Sequence, residues 1–343
     1  MYIRRLYLSG FRRFEELDIC LEPGVTLLEG LNGQGKTSIL EALYVLAAGS
    51  SFRTSSLKEL ARESSSAFFI EGEYSKDEAL SSLSIAFDGE KRRVALAGAV
   101  QERASSLFGN LLAVVSTPDD LEFIYGSPQV RRRELDLIIC QYVPSYATLL
   151  SRYERTLQQR NKLLKLHQFD TISVWEEELA ELGVAIIRQR EELFSSLRER
   201  FKSELASFIE SSDWDLIYIP SVPEASIEKM KKIYQEKREQ EVRAGCTLYG
   251  PHRDDILVRF KNYPAKSRAS LGQAKCALLA LRLAAWSLLK EHSRTEPLFL
   301  LDDLESFLDP DKRRSLLERL ESIEQVIIST SSSLESKYRK ITL

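Results

Sequence analysis

The sequence predicts an α/β fold interrupted by an inserted α-helical lobe, and three observations carry that prediction. Gly30-Leu31-Asn32-Gly33-Gln34-Gly35-Lys36-Thr37 fits the pattern G-x-x-x-x-G-K-[ST] between a strand-like run and a helix-like run. From Pro128 the texture changes to long amphipathic helices, the clearest from about Val174 to Ile209. An apolar strand, Leu298 to Leu301, then ends in two adjacent carboxylates, Asp302 and Asp303.

The elements follow in order. Tyr2 to Leu8 reads as a strand, Leu17, Ile19 and Leu21 alternate before a Pro23-Gly24 turn, and Val25 to Glu29 enters the glycine loop. Ser38 to Ala48, with Leu40, Leu43, Tyr44 and Ala47 at helical spacing, leaves it. Strand-like pieces recur at Phe68 to Tyr74, Leu83 to Phe87, Arg93 to Leu96 and Leu111 to Ser116. On the long helix, Trp175, Leu179, Leu182, Ile186, Leu193, Leu197, Phe201, Leu205 and Phe208 fall three or four apart or in multiples. Strand and loop texture returns at Asp215 to Val222 and Thr247 to Pro264. A helix from Gly272 to about Glu291, a helix after Pro310 and a strand Gln325 to Ser329 complete the chain. The expected division is 1–117 for the first part of the α/β lobe, 118–245 for the helical insertion and 246–343 for the second part. No repeat, low-complexity tract or long heptad array is present, which excludes an extended coiled-coil arm.

A chain of 343 residues with 43% hydrophobic content buries a sizeable core in more than one lobe. No apolar run approaches the roughly 18–20 residues of a membrane helix. Met1-Tyr2-Ile3-Arg4-Arg5 lacks a secretory apolar core, so a soluble cytoplasmic protein with no membrane partner is expected. Cys20, Cys140, Cys246 and Cys276 stand far apart, and with 3 His in the chain neither a zinc site nor a disulfide framework is indicated. Net charge is −3, yet residues 131–165 carry eight Lys/Arg against three acids, a local +5. That stretch predicts a basic face; for any one of its cations, a solvated helix face is the commoner explanation.

The chemistry of the glycine loop is that of an anion cradle. Glycines let the backbone bend so that successive N–H groups and the positive end of the following helix point at phosphates. Lys36 is expected to reach the β- and γ-phosphates of ATP and Thr37 to hold Mg²⁺. In a P-loop NTPase a buried strand ending in acids places a second Mg²⁺ ligand opposite the loop, which assigns that role to Asp302. Asp303 is then the general base or water-orienting group. The plainer alternative is a pair of acids capping the next segment.

Ser270-Leu271-Gly272-Gln273 lies about thirty residues before that strand and opens a helix, which alone is a helix cap. Between a P-loop and a double-acid strand, Ser270, Gly272 and Gln273 resemble the signature motif of ABC-type ATPases, and Asp309 after Ser306-Phe307-Leu308 resembles their D-loop aspartate. In that family the signature of one subunit closes over ATP held by another, so the resemblance implies an ATP-dependent homodimer.

Two further stretches narrow the resemblance to the bacterial RecF recombination and DNA-repair family, over the whole chain. Pro118-Asp119-Asp120-Leu121, Gly126-Ser127-Pro128 and Arg131-Arg132 with Leu135-Asp136 are similar to that family's first signature. Leu248-Tyr249-Gly250-Pro251-His252-Arg253-Asp254-Asp255 is similar to its second, and Gly10-Phe11-Arg12 and Ser51-Phe52-Arg53-Thr54 also match. Taken without the family, Arg131, Arg132 and Arg133 open a helix with surface ion pairs, and a lone His252 at a corner is structural. The resemblance implies an ABC/SMC-head type P-loop NTPase with an inserted helical lobe and no long coiled coil. It also implies binding of double-stranded DNA near single-strand/double-strand junctions, action with RecR and RecO to load RecA, and slow ATP hydrolysis as a reset. Phosphate contacts are assigned to Arg131, Arg132 and Arg133. Departures from the pattern are Phe307 in place of an acid, Ala274 after Gln273, and Thr330 with no switch His after Ser329.

The competing reading is an ABC-type ATPase subunit of another DNA-maintenance or transport complex. A transporter subunit would be shorter and would lack the helical insertion. A small-molecule P-loop kinase has no use for Ser270 to Gln273, and a binder that does not hydrolyse ATP fits everything except the placement of Asp303.

Overall fold

The structure is a computed structural model describing residues 1–343 apart from 55, 78, 209–212, 305–309 and 332–336, with only the backbone of 310–312. The expected D-loop residue Asp309, together with Phe307, lies outside the described residues, as does Ile209 at the expected end of the long helix.

Strands β1 (Tyr2–Phe11), β2 (Phe14–Cys20) and β3 (Gly24–Glu29) lead into helix α1 (Lys36–Ala48). Strands β4 (Phe68–Lys76), β5 (Ala79–Phe87), β6 (Arg92–Leu96), β7 (Ala99–Val100) and β8 (Ala113–Ser116) follow. Helices α2 (Glu122–Tyr125), α3 (Pro128–Tyr142), α4 (Ser145–Leu166) and α5 (Ile172–Ala206) precede β9 (Trp214–Ile219), α6 (Ile227–Glu236) and α7 (Arg238–Ala244). Strands β10 (Asp255–Phe260) and β11 (Tyr263–Pro264), helices α8 (Ala265–Arg268) and α9 (Leu271–Ser293), β12 (Leu298–Leu301), α10 (Pro310–Leu320), β13 (Gln325–Thr330) and β14 (Arg339–Thr342) complete the order.

Two compact units result, the first comprising Met1–Leu121, Arg200–Ser211 and Ser270–Leu343, the second Glu122–Glu199 and Ser212–Ala269. The expected return to the α/β lobe at residue 246 is therefore corrected to Ser270. The reason is strand pairing: β10 pairs antiparallel with β9 and β11 in a three-stranded sheet of the second unit.

In the first unit a parallel sheet of order β14-β3-β13-β12-β8 and an antiparallel sheet of order β2-β1-β4-β5-β6-β7 enclose α1, which touches strands of both. That position explains the composition of α1, which is apolar nearly all round and buried at every residue but Thr37. β3, β12 and β13 are near-continuous apolar runs because a parallel strand in mid-sheet is covered on both faces. Gln325, 1% exposed at the start of β13, ties the sheets by accepting from Ile3 N (2.8 Å) and donating to the carbonyls of Ile3 (2.8 Å) and Glu22 (3.0 Å). α9 is fastened by a buried bidentate pair in which Arg282 donates to both oxygens of Asp120 at 2.9 and 2.8 Å.

The second unit is organised around buried arginines. Arg190 on α5 donates to Asp136 of α3 (3.0 and 2.8 Å), to the Pro251 carbonyl (2.7 Å) and to Asp254 (3.0 Å). Asp254 in turn accepts from Ser221 N (2.7 Å) and the Tyr218 hydroxyl. Arg160 on α4, fully buried, donates to Glu176 (2.9 Å), Glu241 (2.7 Å) and Thr247 (2.8 Å). His252 lies beside this hub, accepting from the Tyr153 hydroxyl at Nδ1 (2.7 Å) and donating from Nε2 to the Thr247 carbonyl (3.0 Å).

Removing one partner of a buried ion pair strands the other, so Asp120→Ala is expected to lower stability by about 3–5 kcal/mol, while Asp120→Leu with Arg282→Met recovers most of it. Thermal unfolding of the three chains tests this, and an unchanged midpoint for Asp120→Ala would exclude it. Burial pushes the His252 imidazole down to about 4. The unfolded chain therefore takes the proton first, and the contribution, complete above about pH 6.5, is lost as pH falls toward 4, at up to about 1.4 kcal/mol per pH unit. Urea unfolding at pH 7 and 5 should show this loss in the wild type and a flatter response in His252→Gln.

Candidate functional site

The parallel sheet delivers the expected site residues to one edge, the carboxyl ends of its strands. β13 lies between β3 and β12, with Ser329 paired to Leu28 and Leu301 paired to Ile328, so the glycine loop after β3 and the acids after β12 flank Ser329. Thr37 Oγ1 donates toward the Asp302 carboxylate, 2.9 and 3.0 Å from its two oxygens, and Ser329 Oγ donates to Asp302 Oδ1 at 2.6 Å. The same Ser329 oxygen accepts from Asp303 N at 2.8 Å, and Asp302 N donates to the Ser116 carbonyl at 2.9 Å.

Two glycines of the loop stand where a side chain is disfavoured. A Cβ on Gly30 (φ 156°) would stand 2.2 Å from Gln34 Oε1, which accepts from Leu31 N at 2.5 Å. A Cβ on Gly35 (φ 104°) would stand 2.5 Å from the Phe14 ring, in a left-handed conformation that disfavours any side chain. Lys36 Nζ is held across the loop by the carbonyls of Gly30 and Leu31, the latter at 3.0 Å. These residues border a cleft of about 500 Å³ whose walls include Asn32, Gly33, Lys36, Thr37, Asp302 and Asp303.

The cleft has the parts of an anion and cation site. The start of α1 offers free backbone N–H groups and the Lys36 ammonium. Thr37 and Asp302 offer a hydroxyl and a carboxylate within 3.0 Å of each other, hard oxygen donors of the kind Mg²⁺ takes alongside phosphate oxygens. Asp303 borders the cleft in a left-handed conformation, φ 55°, which costs about 1–3 kcal/mol at a non-glycine residue and is concentrated at functional sites.

Sequence reasoning missed three contributors. Arg13 and Arg53 both line the cleft, and Ser329 holds the acids. Arg12 forms a bidentate pair with Glu41 of α1 (2.7 and 2.6 Å), and Ser51 also donates to Glu41 while accepting from the N–H groups of Arg53 (2.8 Å) and Thr54 (3.1 Å). The segments Gly10-Phe11-Arg12 and Ser51-Phe52-Arg53-Thr54 thus meet at one buried glutamate, and that contact seats Arg13 and Arg53 at the cleft. The signal was the pair of motifs; their juxtaposition needed the fold.

Ser270 caps α9 with a full capping box, its oxygen accepting from Gln273 N (3.2 Å) while Gln273 Oε1 accepts from Ser270 N (2.9 Å). Ser270, Leu271 and Gly272 are exposed, Leu271 at 55%. Arg131, expected at DNA, is instead buried: it pairs with Asp255 (2.7 and 3.1 Å) and donates to the Gly126 carbonyl (2.8 Å). The cause is that α3 packs on β10, which brings the two family-like signatures into contact. Arg132 donates to the Asp254 carbonyl at 2.7 Å, and with Arg133 it lines a groove of about 510 Å³ within the second unit.

Comparison with known proteins agrees across the chain. The profile of the RecF/RecN/SMC N terminal domain matches residues 2–339. The DNA replication and repair protein RecF of Protochlamydia amoebophila is 34% identical over 338 residues, 96% of this chain and 94% of that protein. RecF of Halalkalibacterium halodurans is 35% identical over 346 residues, 97% and 93%. Among solved structures, the recombination mediator protein RecF with ATP in the RecFOR pathway superposes with a TM-score of 0.92 at 28% identity, covering 98% of this chain and 93% of that one. An Smc head bound to the C-winged helix domain of ScpA, at 17% identity and a TM-score of 0.51, shares the fold alone.

Burial raises the pKa of Asp302 above the ordinary carboxylate range, while the hydroxyls of Ser329 and Thr37 pull it down. A raised value means that the ionised carboxylate costs the fold stability above that pKa, a penalty that disappears as pH falls through it. Asp302→Asn is expected to raise the unfolding temperature at pH 7, within the ~0.5–2 kcal/mol usual for a stabilising substitution, with a smaller gain at pH 4.5. Scanning calorimetry at both pH values tests it, and a lower unfolding temperature for the variant at pH 7 would count against it.

Proposed function

The chain belongs to the RecF family within the RecF/RecN/SMC N-terminal domain group, and from that premise we propose that it is an ATP-dependent DNA-binding protein of repair and recombination. The fold is that of an ABC/SMC-head type P-loop NTPase with an inserted helical lobe. In this reading the first unit is the ATPase lobe and the second the insertion. The loop from Gly30 to Thr37 cradles the phosphates of ATP, Lys36 reaches the β- and γ-phosphates, and Thr37 with Asp302 holds Mg²⁺. Asp303 orients the attacking water, and Arg13 and Arg53 add positive charge at the cleft. The single observation that carries the reading is the Thr37–Asp302 contact, which places loop and double acid in one cleft as ATP with Mg²⁺ requires.

The exposed start of α9 supports the second half of the proposal, that Ser270, Gly272 and Gln273 meet the nucleotide of a second copy. ATP then drives a homodimer that binds double-stranded DNA near single-strand/double-strand junctions in the cytoplasm, with Arg132 and Arg133 kept as candidate phosphate contacts. It acts with RecR and RecO in loading RecA. Hydrolysis is slow and releases the dimer; the chemistry is positioning and electrostatic stabilisation, without a covalent intermediate.

Lys36→Ala is expected to lose ATP-driven dimerisation and tight DNA binding, with an affinity loss of tenfold or more. Asp303→Asn should keep both and hold the dimer closed. Light scattering after size exclusion, with and without ATP and Mg²⁺, together with gel shifts on duplex, gapped and single-stranded DNA, reads these outcomes. A wild-type chain that stays monomeric in all conditions sinks the proposal.

A further inference from the structure

Between Asp255 and Glu291 the sequence holds no Asp or Glu, but it holds Arg259, Lys261, Lys266, Arg268, Lys275, Arg282 and Lys290. In a chain of net charge −3 that is a marked local excess. Three of the seven are neutralised inside their own units: Arg259 by Asp215, Arg282 by Asp120 and Lys290 by Glu296. Lys275 is half-buried on α9. Lys261, Lys266 and Arg268 are exposed, and none of them has a carboxylate within ion-pair distance among the described residues.

The backbone holds these three at the surface. β10 and β11 join through a two-residue loop, Lys261-Asn262, across the Phe260–Tyr263 pair, and both loop residues are left-handed, φ 49° and 64°. Asn tolerates that conformation, but lysine is an unfavourable choice for it, and here it puts an ammonium at the hairpin tip. Lys261 Nζ lies 5.4 Å from the centre of the Phe260 ring, and the Arg268 guanidinium lies 4.8 Å from that of Tyr263, itself 52% exposed. Ring contacts of this kind orient the charged heads at the surface without neutralising them.

We infer that the hairpin 261–268 is a contact surface for the phosphate backbone of double-stranded DNA, a deepening that rests on the DNA-binding reading above. Three unpaired like charges within eight residues repel one another, and a polyanion relieves that repulsion while releasing its counterions. The composition decides between nucleic acid and an acidic protein. Specific protein interfaces deplete lysine and need an apolar centre, whereas Lys, Arg, Asn and Ser around one tyrosine are the groups that position a protein on phosphates and sugars. A contact made to phosphates alone carries no sequence information, so the affinity lost in the variant below should be the same for duplexes of different sequence.

The test uses the full chain with ATP and Mg²⁺ and a fluorescent duplex, with affinity measured from 50 to 200 mM salt. Lys261→Ala/Lys266→Ala/Arg268→Ala is expected to bind at least tenfold more weakly at the low-salt end. Its plot of log affinity against log salt should be shallower by about 0.9 for each phosphate that the variant no longer neutralises. ATP binding and unfolding temperature should stay at wild-type values. The swap Lys261→Arg/Lys266→Arg/Arg268→Lys should retain affinity and slope. Wild-type affinity and slope in the alanine variant overturn the inference and leave the DNA-binding reading standing; equal loss in both variants also overturns it, since charge was then not the cause. A wild-type chain that fails to bind duplex overturns both.

Discussion

The Asp302 carboxylate is the constraint on which the first unit turns. It is buried, it ends β12, and it is reached by two hydroxyls from elements distant in sequence, Thr37 at the start of α1 and Ser329 at the end of β13. A buried carboxylate without donors costs several kcal/mol, so the ends of β12 and β13 and the start of α1 are fixed relative to one another by the need to satisfy it. Ser329 does this twice over, because its oxygen also takes the N–H of Asp303 and so sets where that strained residue stands. The cleft is consequently built from rigid sheet ends, and its loop is locked further by Lys36 and Gln34 bonding within it. A site preorganised to this degree suits chemistry that is positioning and electrostatics.

Arginine does comparable work in the second unit, in the opposite charge sense. Arg131, Arg160 and Arg190 are buried guanidiniums whose planar forks bridge carboxylates and carbonyls on helices and strands far apart in sequence. That arrangement shows why counting charge along 131–165 misleads. Two of its cations, Arg131 and Arg160, are neutralised within the unit by acids that lie elsewhere in the chain, namely Asp255, Glu176 and Glu241. A charge becomes available to a partner only where tertiary structure fails to supply its counter-ion, which a window on the sequence cannot see. The acid-free stretch 256–290 is the opposite case, because part of it remains unpaired once folded.

Legibility followed the range of the interactions. The glycine loop, α1, the long helix and the buried strands β12 and β13 were all readable, since each is set by local period and by residues adjacent in sequence. The boundary at 246 was not, because β10 looks like any alternating strand until its pairing with β9, rather than with the parallel sheet, is known. β14 and the short helices α6 and α7 escaped for lack of length and periodicity. That Lys36, Thr37, Asp302 and Asp303 would border one cleft was legible because a loop and a double acid each leave a compact signature. Ser329, Arg13 and Arg53 were not, for a serine on an apolar strand and arginines in turns gain meaning only from what the sheet brings beside them.

The capping box on α9 bears on how the two-chain site proposed above could be reversible. Within one chain the start of this helix is already satisfied, with Ser270 and Gln273 closing on each other, and a cap of that kind is worth about 1 kcal/mol. The isolated chain therefore needs no partner to stabilise this end of α9, and its exposed Leu271 and Gly272 are tolerable in water. A phosphate presented by a second copy would have to replace the Ser270 and Gln273 bonds with charge-assisted ones to the same hydroxyl and N–H groups, which are about twice as strong as neutral bonds. In the two-chain site proposed above, the net gain would be only the difference between those bonds, which would tie association to the presence of the terminal phosphate. A signature helix left uncapped would pull the other way, favouring association whether or not the nucleotide had been cleaved.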